Sequence, residues 1–138
     1  MPKLQHSVKV PQLYKAASKI AKIVKEEGGS LKDLVFSYNK HLASCLASKL
    51  LNPPPGSVTL DMCAAPGMKT THLASLMKNK GTLYAVEMGQ KRYQTLCNQV
   101  EKSGATCVKT LHCDALTLDS TQCPGVQYIL VDPSCSGS

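Results

Sequence analysis

The chain has 138 residues, 43% of them hydrophobic, with a formal net charge of +7 and a pI near 9.1. That length and apolar content suit one domain with its own core and exclude a disordered tail. No apolar run approaches the roughly 18 residues that would cross a membrane. Residues 1–10 mix lysine, glutamine and histidine with isolated apolar residues and lack a secretory h-region, so a soluble intracellular chain with no membrane partner is expected. The basic balance favours acidic partners, nucleic acid being one candidate and an anionic membrane surface another. None of the seven cysteines forms a C-x-x-C pair, so no structural zinc site is expected, and reduced thiols should serve mostly as small buried hydrophobes.

Pro11 suits the first turn of a helix, where its missing N–H does no harm. Leu13, Ala16, Ala17, Ile20, Ile23 and Val24 then follow helical spacing, and Lys15, Lys19, Lys22 and Lys25 take other positions. Gly28-Gly29 ends that helix. Ser30 with Asp33 resembles a capping box that would open another one. A further helix is expected from about His41 to Leu51, stopped by Asn52-Pro53-Pro54-Pro55-Gly56, since proline lacks the N–H and disfavours a helical predecessor.

Beyond that point strands and helices alternate. Val58 to Met62 reads as a strand, Met68 to Lys78 as a helix, Gly81 to Glu87 as a strand and Gln90 to Ser103 as a helix. Ala105 to His112 and Val126 to Val131 read as two more strands. Short apolar strands alternating with helices mean a parallel α/β sheet.

In such sheets the ligand lies beyond the carboxyl ends of the strands. The first of these strands leads into Asp61-Met62-Cys63-Ala64-Ala65-Pro66-Gly67-Met68-Lys69-Thr70. Its small residues let backbone approach a ligand, Pro66-Gly67 shapes the turn, and the following helix N-terminus favours an anionic group. Lys69 adds a mobile positive charge. Glu87 follows Gly67 by about 20 residues, the separation at which nucleotide-binding sheets place an acid on ribose hydroxyls. Arg92 could pair with Glu87, touch the ligand or stand exposed. Asp114 could accept from an adenine amino group. The last strand delivers Asp132-Pro133-Ser134-Cys135-Ser136-Gly137-Ser138, where Asp132 can bind the amino edge of a base and Cys135 is either a soft nucleophile or an inert thiol.

The segments 61–70 and 132–138 resemble the cofactor loop and active-site segment of the Nol/Nop/Sun family of RNA methyltransferases, which make 5-methylcytosine. The resemblance runs from about Leu42 to Ser138. Leu13-Tyr14, Gly29 to Val35, Ala43 to Leu46 and Pro53 to Ser57 extend it toward the branch that methylates large-subunit ribosomal RNA. It implies S-adenosylmethionine as cofactor, RNA as partner and a nucleolar location. It further implies that Cys63, Ala64, Ala65, Pro66, Gly67, Met68 and Lys69 surround the methionine and ribose parts of the cofactor. Glu87 would hold the ribose, with Arg92 nearby; Asp114 and Asp132 would complete the pocket, and Asp132 would also face the target cytosine.

By the same resemblance Cys135 assists product release, while the attacking cysteine belongs to a later threonine-cysteine motif without a counterpart in these residues. The chain by itself is therefore expected not to methylate RNA; the alternative is a non-catalytic cofactor- or RNA-binding fragment. An RNA-binding segment of the family has no counterpart at Tyr38 to His41, which reads as the seam of an internal deletion. The implied organisation is an N-terminal helical segment, 1–40, followed by the N-terminal half of a methyltransferase domain, 41–138. The fold is then a partial Rossmann-like methyltransferase sheet of about four parallel strands in the order 3-2-1-4. Its fourth strand would be an open apolar edge inviting self-association.

Overall fold

The computed structural model of the chain describes residues 2–36, 46–65 and 67–132, and for residues 2–10 the backbone alone. Its elements are α1 (Pro2–Glu26), β1 (Asp33–Phe36), α2 (Leu46–Leu51), β2 (Val58–Asp61), α3 (Met68–Leu76), β3 (Thr82–Glu87), α4 (Gln90–Ser103), β4 (Val108–His112), a 3₁₀ turn (Ala115–Thr117) and β5 (Tyr128–Val131). The strands form one all-parallel sheet in the order β1-β5-β2-β3-β4. The four strands expected from the alternation of the chain occur in the expected order, as β4-β3-β2-β5. The Tyr38–His41 seam, the stretch from His41 to Cys45, Pro66 and Cys135 lie outside the described residues.

A fifth strand corrects the expected open edge. Asp33–Phe36, expected to open a helix at the Ser30–Asp33 signal, instead pairs with β5 from Asp33↔Tyr128 to Phe36↔Val131. The run Leu34-Val35-Phe36 explains this, because β-branched and aromatic residues suit a pleated surface with alternating faces. Leu34 and Phe36 pack against the core under α1, and Val35 packs against the core on the other face. The Asp33 side chain meanwhile accepts from the next residue's own N–H, Leu34, at 2.8 Å instead of from a helical turn.

Helix α1 starts earlier than its proline suggested, at Pro2, with Pro11 inside it. An interior proline removes one ladder hydrogen bond and crowds the carbonyl four residues before it, and α1 carries that cost at Pro11. Ala17, Ile20, Ala21 and Val24 are buried against Leu60, Tyr84, Val86, Ile129 and Val131 on one face of the sheet. Fully burying each large aliphatic side chain of this set contributes roughly 1.5–3 kcal/mol. The helix then closes at Gly28 and Gly29, where the Gly29 N–H donates to the Val24 carbonyl at 2.8 Å. A Cβ on Gly29 would lie 2.6 Å from Val24 Cγ1, so this turn into β1 requires glycine.

The opposite face holds α2, α3 and α4. Leu83 and Leu130 pack there with Ala47, Leu51, Leu73 and Met77. The connection from β4 to β5 supplies only the 3₁₀ turn. Its face of the sheet is therefore covered by α1, whose buried residues join Ala115, Leu118 and Cys123 in one cluster. Among the described residues no helix is long and apolar enough to cross a membrane.

Candidate cofactor site

The parallel register brings the strand ends together at one edge of the sheet, with Asp61 opposite Ala85 and Glu87 opposite His112. The segment following β2 is stitched across the gap between its neighbours. Met62 N–H donates to the Leu130 carbonyl of β5 at 3.0 Å, and Ala64 N–H donates to the Val86 carbonyl of β3 at 3.0 Å. Asp61 anchors this segment from below. One of its carboxylate oxygens accepts from Cys63 N–H at 3.2 Å and the other from the Thr70 hydroxyl at 2.9 Å. Burial raises the Asp61 carboxyl from 3.8 to about 6, against the pull of those two hydrogen bonds.

The small residues of the loop do different jobs. Ala64 and Ala65 are buried against Ala85 and Leu96, letting α4 approach the sheet closely. Gly67 has φ +113, and a Cβ there would meet Gln99 Cβ at 3.0 Å, so it needs glycine both for conformation and for contact with α4. Met68, at the start of α3, is 55% exposed.

Lys69 is not a mobile charge. Its Nζ lies 3.4 Å from Asp132 Oδ2, and the two side chains are only 6% and 5% exposed. The α3 helix turns Lys69 inward toward the carboxyl end of β5, where the desolvated ammonium must be neutralised.

Glu87 and Arg92 resolve the alternatives left open for the arginine. Arg92 Nε is 3.5 Å from Glu87 Oε1, and its terminal nitrogen donates to the Ala65 carbonyl at 3.1 Å. The guanidinium thus ties the end of β3 to the loop after β2. Glu87 Oε2 also accepts from Gly89 N–H at 2.9 Å, and a carboxylate with about four lone-pair sites still has acceptor capacity left. Asp114 caps the 3₁₀ turn, accepting from Leu116 N–H at 2.9 Å.

A cavity of about 150 Å³ opens between these groups. Cys63, Glu87, Arg92 and Asp114 line it, with Met88 and Leu116 as apolar walls. His112 Nε2, 3.0 Å from the Met88 carbonyl, and the stack of its ring on Tyr93 at 4.5 Å hold the Met88 turn in place. Of the residues expected around a cofactor, the structure gathers Cys63, Glu87, Arg92 and Asp114 on this cavity. Asp132 and Lys69 form a separate buried pair; Ala64 and Ala65 support the loop from beneath. Burial, followed by the charges of Asp61, Glu87 and Asp132, holds the Cys63 thiol protonated, since thiolate would add a negative charge to a carboxylate-rich site.

Sequence reasoning missed Asp61 and Thr70, although both belong to the loop motif, because their role is to brace the loop rather than to line the cavity. It also missed Leu13, which lines the cavity from α1. No local signal could have found it, because a leucine at helical spacing reads as core.

The family model for the 16S rRNA methyltransferase RsmB/F matches residues 48–138, which include β2 through β5. The 28S rRNA (cytosine-C(5))-methyltransferase of Drosophila melanogaster is 55% identical over 96 residues, covering 70% of this chain and 22% of that protein. Its Mus musculus counterpart is 46% identical over 98 residues, covering 70% and 21%. Among solved structures, the crystal structure of PH0851 superposes with a TM-score of 0.52 at 49% identity, covering 53% of this chain and 16% of that one. The chain therefore spans less than a quarter of the length of these curated relatives. With the braced loop after β2 and the acids at successive strand ends all inside the matched segment, the chain belongs to the RsmB/F family of rRNA methyltransferases.

Proposed function

We propose that this chain binds S-adenosylmethionine in the cavity at the ends of β2, β3 and β4, as the cofactor half of an RNA cytosine carbon-5 methyltransferase acting on large-subunit ribosomal RNA. The observation that carries the reading is the bracket formed by Glu87 and Asp114 across an apolar cavity. Two carboxylates at that separation of strands suit vicinal ribose hydroxyls at Glu87 and an adenine amino group at Asp114. Met88 and Leu116 suit the faces of the ring between them.

The acidic surroundings favour a cation. The cofactor, when bound, supplies an electrophilic methyl group on a positively charged sulfur. Asp61, Glu87 and Asp132 bear on the Cys63 thiol beside the cavity with Arg92 opposing them, and with Asp114 the carboxylates outnumber Arg92 and Lys69, which favours positive charge there. The same field opposes a dinucleotide, whose pyrophosphate is doubly negative. The protonated Cys63 thiol is a poor nucleophile and does not compete for the methyl group.

Asp132, paired with Lys69 at the end of β5, would meet the amino edge of a cytosine, and Cys135 three residues on would assist product release. The attacking thiolate adds to carbon 6 of the base and makes carbon 5 nucleophilic. By the family resemblance that thiolate comes from a later threonine-cysteine motif. Residues 41–138 then act as the N-terminal half of the methyltransferase domain. The net charge of +7 supports an RNA partner, and ribosomal RNA as substrate places the site of action in the nucleolus.

Isothermal titration of the purified chain tests the reading. One-to-one binding of S-adenosylmethionine, weakened at least about tenfold by Glu87→Ala and with no comparable affinity for NAD, is the expected result. Preference for NAD, or binding indifferent to Glu87→Ala, would sink it. Methyl transfer from labelled cofactor to a ribosomal RNA fragment, abolished by Cys135→Ala, would make Cys135 the nucleophile and overturn the assignment of attack to a later cysteine.

A further inference from the structure

The cofactor cavity has a wall that lies outside the segment matched by the family model. That segment begins at residue 48, whereas Leu13 of α1 lines the cavity together with Met88, Leu116 and the acids. Leu13 is half-buried and packs against the core cluster that contains Ala115 and Leu118. The neighbouring helical turns place Ala17, Ile20, Ala21 and Val24 on the sheet, so α1 is held from Leu13 to Val24 rather than touching the cavity by chance. The 3₁₀ turn that α1 covers is the one capped by Asp114. Both the apolar and the polar contacts expected for an adenine ring therefore meet under the same helix.

We propose that α1 is part of the cofactor site, with Leu13 the residue that closes the cavity over the adenine ring. The inference rests on the cofactor reading above and extends it to a helix outside the matched segment. Leu13 and Leu116 face an aromatic ring with aliphatic carbon, which excludes water and strengthens the Asp114 hydrogen bond in the desolvated space. A consequence follows by linkage: cofactor binding and the docking of α1 reinforce each other.

The chain contains no tryptophan, which makes a direct test available. Leu13→Trp places a single indole at the cavity, and saturation with S-adenosylhomocysteine should quench or shift its emission. Tyr14→Trp is the control. Tyr14 is 47% exposed and packs on Phe36 instead of the cavity, so its emission should not respond. Leu13→Ala should weaken binding about fivefold, equivalent to about 1 kcal/mol. In the unaltered chain, hydrogen exchange of the α1 amides from residue 12 to residue 18 should slow on saturation, a readout that needs no variant to fold. Binding at unaltered affinity by Leu13→Ala, or α1 exchange unmoved by saturating ligand, would overturn the role of α1 and leave the cofactor reading standing. Failure of the unaltered chain to bind the ligand at all would overturn both.

Discussion

Replacing Asp61 with asparagine should stabilise the chain, although it removes a carboxylate from the middle of the site's bracing. Asp61 is 1% exposed, and burial lifts its carboxyl from 3.8 to about 6. The folded chain therefore holds this proton more tightly than the unfolded chain. The group's favourable contribution is complete below 3.8 and is lost as pH rises through about 6. At neutral pH the ionised carboxylate costs the fold about 3 kcal/mol, at about 1.36 kcal/mol for each tenfold change in proton affinity. An asparagine resembles the protonated acid. Its oxygen can accept from Cys63 N–H, its NH₂ can donate to Thr70 Oγ1, and the Thr70 hydroxyl can turn to the Ala64 carbonyl 3.3 Å away. Urea unfolding near pH 7.5 should then show Asp61→Asn more stable by up to about 3 kcal/mol, and the advantage should shrink to within about 0.5 kcal/mol near pH 4. A variant less stable than the parent at neutral pH, or a difference that does not change with pH, would refute the reasoning.

Other outcomes follow from the same geometry. Lys69→Met removes the cation from a buried carboxylate and should cost about 3 kcal/mol in urea unfolding, because Asp132 cannot regain water. Arg92→Ala should change stability by less than about 1 kcal/mol, since its side chain is 34% exposed and solvent screens the pair. It should still weaken cofactor binding several-fold in calorimetry, as Glu87 and the Ala65 carbonyl lose their common tie. Phe36→Asp removes the edge-on contact with Tyr14 at 5.1 Å and puts a charge on the core side of β1. The strand should detach and bare the edge of β5, giving self-associated species in sedimentation at micromolar concentration, whereas the parent, with that edge covered, should sediment as a monomer.

The sheet from β2 to β5 was legible because β2, β3 and β5 are short, largely apolar runs bounded by glycine, proline or polar residues, and helices separate β2, β3 and β4. The helix expected from about Gln90 to Ser103 was readable, since Gly89 and Gly104 flank it. Strand β1 was not, because four residues give too short a period to oppose a capping signal, and its partner strand lies some 95 positions away, at Tyr128. The docking of α1 was equally hidden: its apolar stripe shows that it packs but not against what. At the site, the acids at strand ends were visible through the topology of parallel sheets. The inward turn of Lys69 was not, because only the fold shows that Asp132 waits beside it.

The most direct measurement is amide mapping by NMR of the isotopically labelled chain during titration with S-adenosylmethionine. Saturable shifts at Cys63, Glu87, Met88, Asp114 and Leu116, with Ser75, Asn79 and Gly104 in the groove between α3 and α4 unmoved, are the expected result. Shifts centred on that groove, or no saturable shifts, would contradict a cofactor site at the carboxyl ends of β2, β3 and β4.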